Sequence, residues 1–198
     1  MDPESRGDAD TRRPRERADA ARNRRAILDA TAALLAEHGA AAVTMERVAA
    51  AAGVGKGTVF HRFGSRAGLM NEMVAEMAAT LRRSVTDGPP PLGPGAPAAD
   101  RLRAFFLAFA DMIADNVELV TAYRAMPAHP ERDQMHSFWA AHITTLLGEA
   151  RPDLDAETVG ALLLAPLGSE LVPQLVRTGR RERLFAAYGQ LVDSVLRL

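Results

Sequence analysis

The chain has 198 residues, a formal net charge of −1, 47% hydrophobic and 25% charged residues, and no cysteine. It is long enough for a real hydrophobic core and too apolar for global disorder, and the missing cysteines exclude disulfides, thiolate zinc sites and cysteine nucleophiles. No apolar run reaches the roughly 18–20 residues of a membrane span, and Asp29 and Glu37 interrupt the stretch after Arg24-Arg25, so no leader and a cytoplasmic location are expected.

Residues 1–20 are polar, lack a period and contain Pro3 and Pro14, which reads as a flexible arm. From Asn23 a helical period begins, with Ile27, Leu28, Thr31, Leu34 and Leu35 on one face and Gly39 closing the helix. Thr44 suits the N-cap of a short second helix to Ala52, with Glu46 near its positive end. The turn Gly53-Val54-Gly55 leads to a third helix, Lys56–Arg62, and Ser65 caps a fourth that runs to about Val85. Residues 87–99 contain five prolines and three glycines, and read as a linker and the best domain boundary.

Beyond it, Asp100 opens a helix carrying Leu102, Phe105, Phe106, Phe109 and Ile113. Further helices are expected over Val117–Met126, Glu131–Arg151, Asp155–Val176 and Arg181–Leu196. Pro166 and Pro173 each remove a backbone donor from the fourth of these and should kink it. No stretch alternates polar and apolar residues as a strand would. The expected fold is all-α with about nine helices: an arm over 1–20, a domain over 21–80 and a second over 81–198, with 87–99 as linker.

Charge is segregated along this plan. Residues 11–66 carry eleven basic against five acidic side chains, a net of +6, which leaves −7 for the rest. Such asymmetry suits a part that faces nucleic acid joined to one that does not, although a solvated, charge-rich helix start gives the same count. The helices Thr44–Ala52 and Lys56–Arg62 form a helix-turn-helix pattern, and the second helix of such a unit turns its N-terminal residues toward base edges in the major groove. Lys56, the only lysine, Gly57 and Thr58 stand there, while His61, Arg62 and Arg66 lie where flanking phosphates would be. An ordinary three-helix packing unit with glycines at its turns is the plainer alternative.

Residues 24–77 closely resemble the DNA-binding domain of the TetR family of bacterial transcriptional regulators. The marks are the first-helix pattern ending in Gly39, then Val43-Thr44, the AAAAGVGKGT turn and the VFHRFGSRAGL run. The resemblance implies a double-stranded DNA operator as partner, phosphate contact from Thr44, and groove positions for Met45 and Arg47. It also implies a helix cap at Gly55, base-facing positions for Lys56, Gly57 and Thr58, backbone contact from Phe60, His61 and Arg62, and a phosphate contact from Arg66. Phe60 stands where tyrosine is common, Gly55 replaces a serine-type cap, and Gly68 removes the acidic partner of a capping box with Ser65.

For the rest of the chain the resemblance implies a helical effector-binding domain and a homodimer built on the last two helices, whose aliphatic stripes exceed one core's needs. A pocket for a small lipophilic effector is expected from Phe105, Phe109, Met112, Tyr123, Met126, Phe138, Trp139 and His142, although aromatic stripes at helical spacing also serve simply as core. Arg101, Arg103 and Arg124 are candidate partners for a ligand carboxylate. His129, His136 and His142 lack the spacing of metal ligands on one face. No nucleophile and base pair up, so no catalytic residue, metal or cofactor is expected. The expected function is a ligand-responsive regulator, a repressor released from a palindromic operator; an activator of the same fold and a helical small-molecule binding protein are the alternatives.

Overall fold

The structure, a computed structural model, describes residues 5–127 and 130–197, the side chains of residues 5–16 and Glu131 excepted. His129 and residues 1–4 lie outside them. The described elements are ten α-helices and two 3-10 turns, grouped in two compact units that divide between Met73 and Val74.

In the first unit α1 is Ser5–His38, and it replaces the arm expected over residues 1–20, with Pro14 inside the helix. Arg17 to Asn23 are all exposed, so this part owes its helicity to the preference of Ala and Arg rather than to burial. With no buried face there is no apolar period to read. From Ile27 the helix turns inward: Ile27, Leu28, Thr31 and Leu35 are buried, and the Thr31 hydroxyl donates to the Ile27 carbonyl at 2.7 Å. A 3-10 turn, Ala40–Ala42, leads to α2 (Met45–Ala52), then α3 (Lys56–Phe63) and the start of α4 (Arg66–Asp87). Both expected caps form. Thr44 Oγ1 accepts from the Arg47 N–H at 3.2 Å, and Ser65 Oγ from the Gly68 N–H at 3.1 Å.

In the second unit α4 ends at Asp87, and residues 88–97 form a packed turn rather than a linker. The Gly93 N–H donates to the Pro89 carbonyl at 2.9 Å, Leu92 packs against the core, and the Pro90–Pro91 peptide is cis. Prolines that forbid a helix do not forbid a tight, ordered turn. Helices α5 (Ala98–Asp115), α6 (Val117–Arg124) and α7 (Pro130–Ala150) follow closely the expected spans. The single helix expected over Asp155–Val176 is instead α8 (Ala156–Leu164), a 3-10 turn (Ala165–Gly168) and α9 (Leu171–Arg177), bent by 41°. Pro166 breaks it by removing a donor, whereas Pro173 is the third residue of α9, where no intrahelical acceptor exists for an N–H anyway. This split makes ten helices of the expected nine. No single helix among the described residues is long and apolar enough to cross a membrane.

Helix α5 is the centre of the second unit, packed against α7, α9 and α10 (Arg181–Leu196). Its Leu102, Phe105, Phe106 and Ala110 are fully buried among Trp139, Ile143, Leu146, Leu147, Leu184 and Val192. The buried Tyr188 hydroxyl donates to the Leu163 carbonyl, which ties α10 to α8. Helices α7 and α8 approach so closely at Gly160 that a Cβ there would stand 2.9 Å from Cγ2 of Ile143, itself fully buried. We expect Gly160→Val to destabilise the protein by about 1–3 kcal/mol through overpacking, read as a lower denaturant midpoint with an unchanged slope.

Candidate functional site

The α2–α3 turn fixes how α3 is presented. Gly53 takes the left-handed conformation (φ 66°, ψ 28°) that ends α2, and a side chain there would be strained. Val54 turns back to bond the Ala49 carbonyl at 3.0 Å, and extended Gly55 starts α3 by accepting from the Thr58 N–H at 2.9 Å. Val59 and Phe63 then anchor α3 inward. The rest of α3 is outward: Lys56, Gly57, Thr58, Phe60, His61 and Arg62 are all exposed, Phe60 at 39%.

Six of the eleven residues assigned to DNA from the sequence therefore share one exposed helix, with Gly55 beside them and Arg47 exposed on α2. Among the described residues neither Arg47 nor Arg62 has a carboxylate partner. Lys56 does: its Nζ lies 2.5 Å from Glu46 Oε1 and 5.4 Å from the centre of the Phe60 ring. The Lys56 contact holds the exposed Glu46 carboxyl below its usual range. The partnership spans the turn, across two helices, which no helical period reveals. A Cβ on Gly57 would meet nothing within 4 Å, so no contact inside the protein calls for glycine there.

The other assigned residues have work within the fold. Met45 is 5% exposed and belongs to the core, so it is not the groove residue the resemblance implies. Thr44 is exposed but its hydroxyl oxygen caps α2. Arg66 donates from Nε to the Val43 carbonyl and from a terminal nitrogen to the Ala40 carbonyl, both at 2.8 Å. It fastens the connection between α1 and α2 to the start of α4, a role different from the expected phosphate contact. Arg24 similarly bonds Glu72 on α4 through two nitrogens, at 3.1 and 2.6 Å.

In the second unit five of the eight residues expected to line a pocket come together. The Phe105 ring stands 5.6 Å from Phe109, 5.5 Å from Trp139 and 5.2 Å from His142, while Phe138 packs 4.9 Å from Trp139 and parallel to His142. Met112 lies against the same core. Tyr123 and Met126 are at the end of α6, where Arg132 stacks on the Tyr123 ring and donates to the Tyr123 carbonyl at 2.8 Å. These rings fill space as well as line it. A groove of about 580 Å³ lies elsewhere, between α5 and α10, lined by Arg103, Leu107, Asp111, Phe185 and Asp193. Arg124 donates to the Ser169 carbonyl at 2.6 Å and is not free for a ligand.

Polar atoms set the ring cluster apart from plain core. Trp139 Nε1, His142 Nε2 and Arg101 Nε are buried without a hydrogen-bond partner. Each such atom ordinarily costs about 1–3 kcal/mol. Burial, and then the nearby Arg101 charge, hold the His142 imidazole below its usual range, so it is neutral at pH 7. The sequence marks these residues as aromatic or basic; that these nitrogens lack partners depends on how α5 and α7 meet.

Residues 27–73 match the family described as bacterial regulatory proteins, tetR family. No curated protein matches the chain significantly. Among solved structures, one described as a TetR-family transcriptional regulator from Rhodococcus sp. superposes with a TM-score of 0.67 at 23% identity, covering 88% of this chain and 99% of that one. NalD, the secondary repressor of the MexAB-OprM multidrug efflux pump in Pseudomonas aeruginosa, superposes at 0.61 with 17% identity, covering 90% and 97%. At these identities the likeness is one of fold.

The two Arg66 bonds join charged nitrogens to backbone carbonyls, so their loss should be felt in stability. We expect Arg66→Ala to destabilise the protein by about 1–2 kcal/mol, measured by thermal or denaturant unfolding without DNA. Unchanged stability with weakened DNA binding would return Arg66 to the phosphate role.

Proposed function

Residues 27–73 match the family of bacterial regulatory proteins described as tetR, and from that match we propose that the chain belongs to this family and is a homodimeric repressor released from a palindromic operator by a small effector. The observation that carries the DNA half is the exposed α3 face: Lys56, Gly57 and Thr58 at its start, His61 and Arg62 at its end, and Arg47 beside it, with Arg47 and Arg62 unpaired among the described residues. Lys56 suits a guanine edge and Thr58 a thymine methyl, while Arg47, Arg62 and His61 suit backbone phosphates. The Glu46 contact fits a device for specificity, since Lys56 must exchange a carboxylate for a base and gains less on random DNA.

Dimerisation is supported by apolar side chains left outside the core on α8, α9 and α10. Leu162, Leu171 and Leu191 are 68%, 45% and 43% exposed, and Leu171 and Leu191 share one apolar groove with Leu175 and Ala187. Such a face suits a second copy of the same chain, and two copies would space two α3 helices for successive major grooves, about 34 Å apart. The effector reading rests on the ring cluster of α5 and α7.

The deciding experiment is a gel shift on the DNA upstream of the protein's own gene. Wild type should bind it in preference to random DNA, and Lys56→Ala should lose about 1–3 kcal/mol on the cognate site with little change on random sequence. An equal loss on both would reduce Lys56 to a phosphate contact, and no binding by wild type at low salt would remove the regulator reading. Gly57→Ala should raise unfolding stability by up to about 1 kcal/mol, because Ala is the better helix former and has room, and should weaken operator binding about tenfold by holding the backbone off the base edges. Operator affinity equal to wild type would show that no close approach occurs at Gly57.

A further inference from the structure

Helices α5 and α7 bring three unpartnered nitrogens to one aromatic cluster. Trp139 Nε1 belongs to a side chain 2% exposed, packed edge-on to Phe138 and against Phe105 and Phe109. His142 Nε2 belongs to a ring lying parallel on Phe138, 6.4 Å between centres, and 5.2 Å from Phe105. Arg101 stands one turn before Phe105 on α5, close enough for its charge to act on His142. Its Nε is without a partner, and its one hydrogen bond is a long 3.4 Å contact to the Val85 carbonyl near the end of α4. Among the described residues Arg101 has no carboxylate partner, in contrast to Arg103, Arg151, Arg177 and Arg181 of the same unit.

Two of the three nitrogens belong to groups that only donate. A tryptophan N–H has only a proton to give, and a guanidinium has several and no acceptor. A partly buried cation without a counterion favours an anion, and a planar guanidinium suits the two oxygens of a carboxylate. The rings beside these donors have apolar faces, and Phe109, Phe138 and His142 remain partly exposed.

We propose that this cluster is a binding site for a small carboxylate with an aromatic or apolar body, its oxygens taken by Arg101 and Trp139 and its body laid against Phe138 and His142. The proposal rests on reading the second unit as the effector domain and names the effector's chemical class. It also names what the effector touches first. Arg101 holds the last turns of α4 through Val85, and Arg82 of α4 stacks 4.3 Å above the Phe138 ring. A carboxylate that draws Arg101 toward itself and a body that shifts Phe138 would alter both ties to α4 together.

Trp139 is the only tryptophan in the chain, so its emission reports on the site directly. The full-length protein, without DNA, is titrated with 3-phenylpropionate and separately with 3-phenylpropanamide, its uncharged counterpart. A saturable change in emission is expected with the acid, with the amide at least about tenfold weaker, and the same loss for the acid on Arg101→Gln. Arg101→Lys, which keeps the charge but not the fork, should bind between the two; it also guards against misfolding of the first variant, which helical content checks. Equal binding of acid and amide, undiminished binding to Arg101→Gln, or no response to millimolar acid would each overturn the proposal. Because no DNA is present, the result is independent of the gel shift, and either reading can fail while the other stands.

Discussion

The second unit depends on one helix that is apolar in two directions. Phe105 and Phe106 are neighbours in sequence, so their side chains leave α5 about 100° apart. Phe105 meets Trp139 and His142 on α7, and Phe106 meets Tyr188 on α10 at 5.7 Å. Both are fully buried. The surface side left to such a helix is narrow, along Arg103, Leu107 and Asp111, and α7, α9 and α10 pack around the rest. Tyr188 then passes the constraint on, because its hydroxyl fixes α10 against the Leu163 carbonyl of α8. The aromatic cluster is therefore held by the core through Phe105 and Trp139, while Phe109, Phe138 and His142 at its margin are only partly buried.

The first unit meets a different demand, which is to hold a helix out. Short α3 buries only Val59 and Phe63, too little to fix a helix alone. Its orientation comes from the left-handed Gly53, from the cap at Gly55, and from clasps that lock the helices behind it. Arg66 closes the α1–α2 connection onto α4, and Arg24 ties α1 to Glu72. Two arginines that look from the sequence like part of one basic surface are thus engaged inward, which sharpens the remaining outward set to Arg47, Lys56, His61 and Arg62.

Most helices were legible because each buries one stripe against the core, and the caps at Thr44 and Ser65 were legible because capping is a local bargain between one side chain and the next turn. What escaped the sequence is whatever depends on a partner. Arg17 to Asn23 are helical with nothing to bury, so no period marks them. Met45 is apolar at a helix start, and whether it faces groove or core depends on how α1 packs behind it. The stretch 88–97 looked like a linker because proline and glycine content reports what a segment cannot be, not what it packs against. In the candidate sites the exposed α3 residues follow from helical spacing, while the Glu46–Lys56 contact and the unpartnered nitrogens of Trp139 and His142 follow only from helices meeting.

The net charge of −1 hides two uses of arginine. In the second unit Arg181 bonds Asp111 and Asp115 at 2.5 and 2.6 Å, Arg103 bonds Asp193 at 2.8 Å, and Arg177 bonds Glu118 at 3.1 Å, so the charge of these three arginines is neutralised within the fold and joins helices. On the outer side of α2 and α3, Arg47 and Arg62 have no such partner among the described residues. Exposed pairs add little to stability, but they remove field. Pairing in one unit and its absence on one face of the other leave a positive potential where α3 is exposed, and that is where a polyanion would be drawn first. Lys56 lies between the two cases, exposed but paired with Glu46, so its charge is open to an anion only in exchange for that carboxylate.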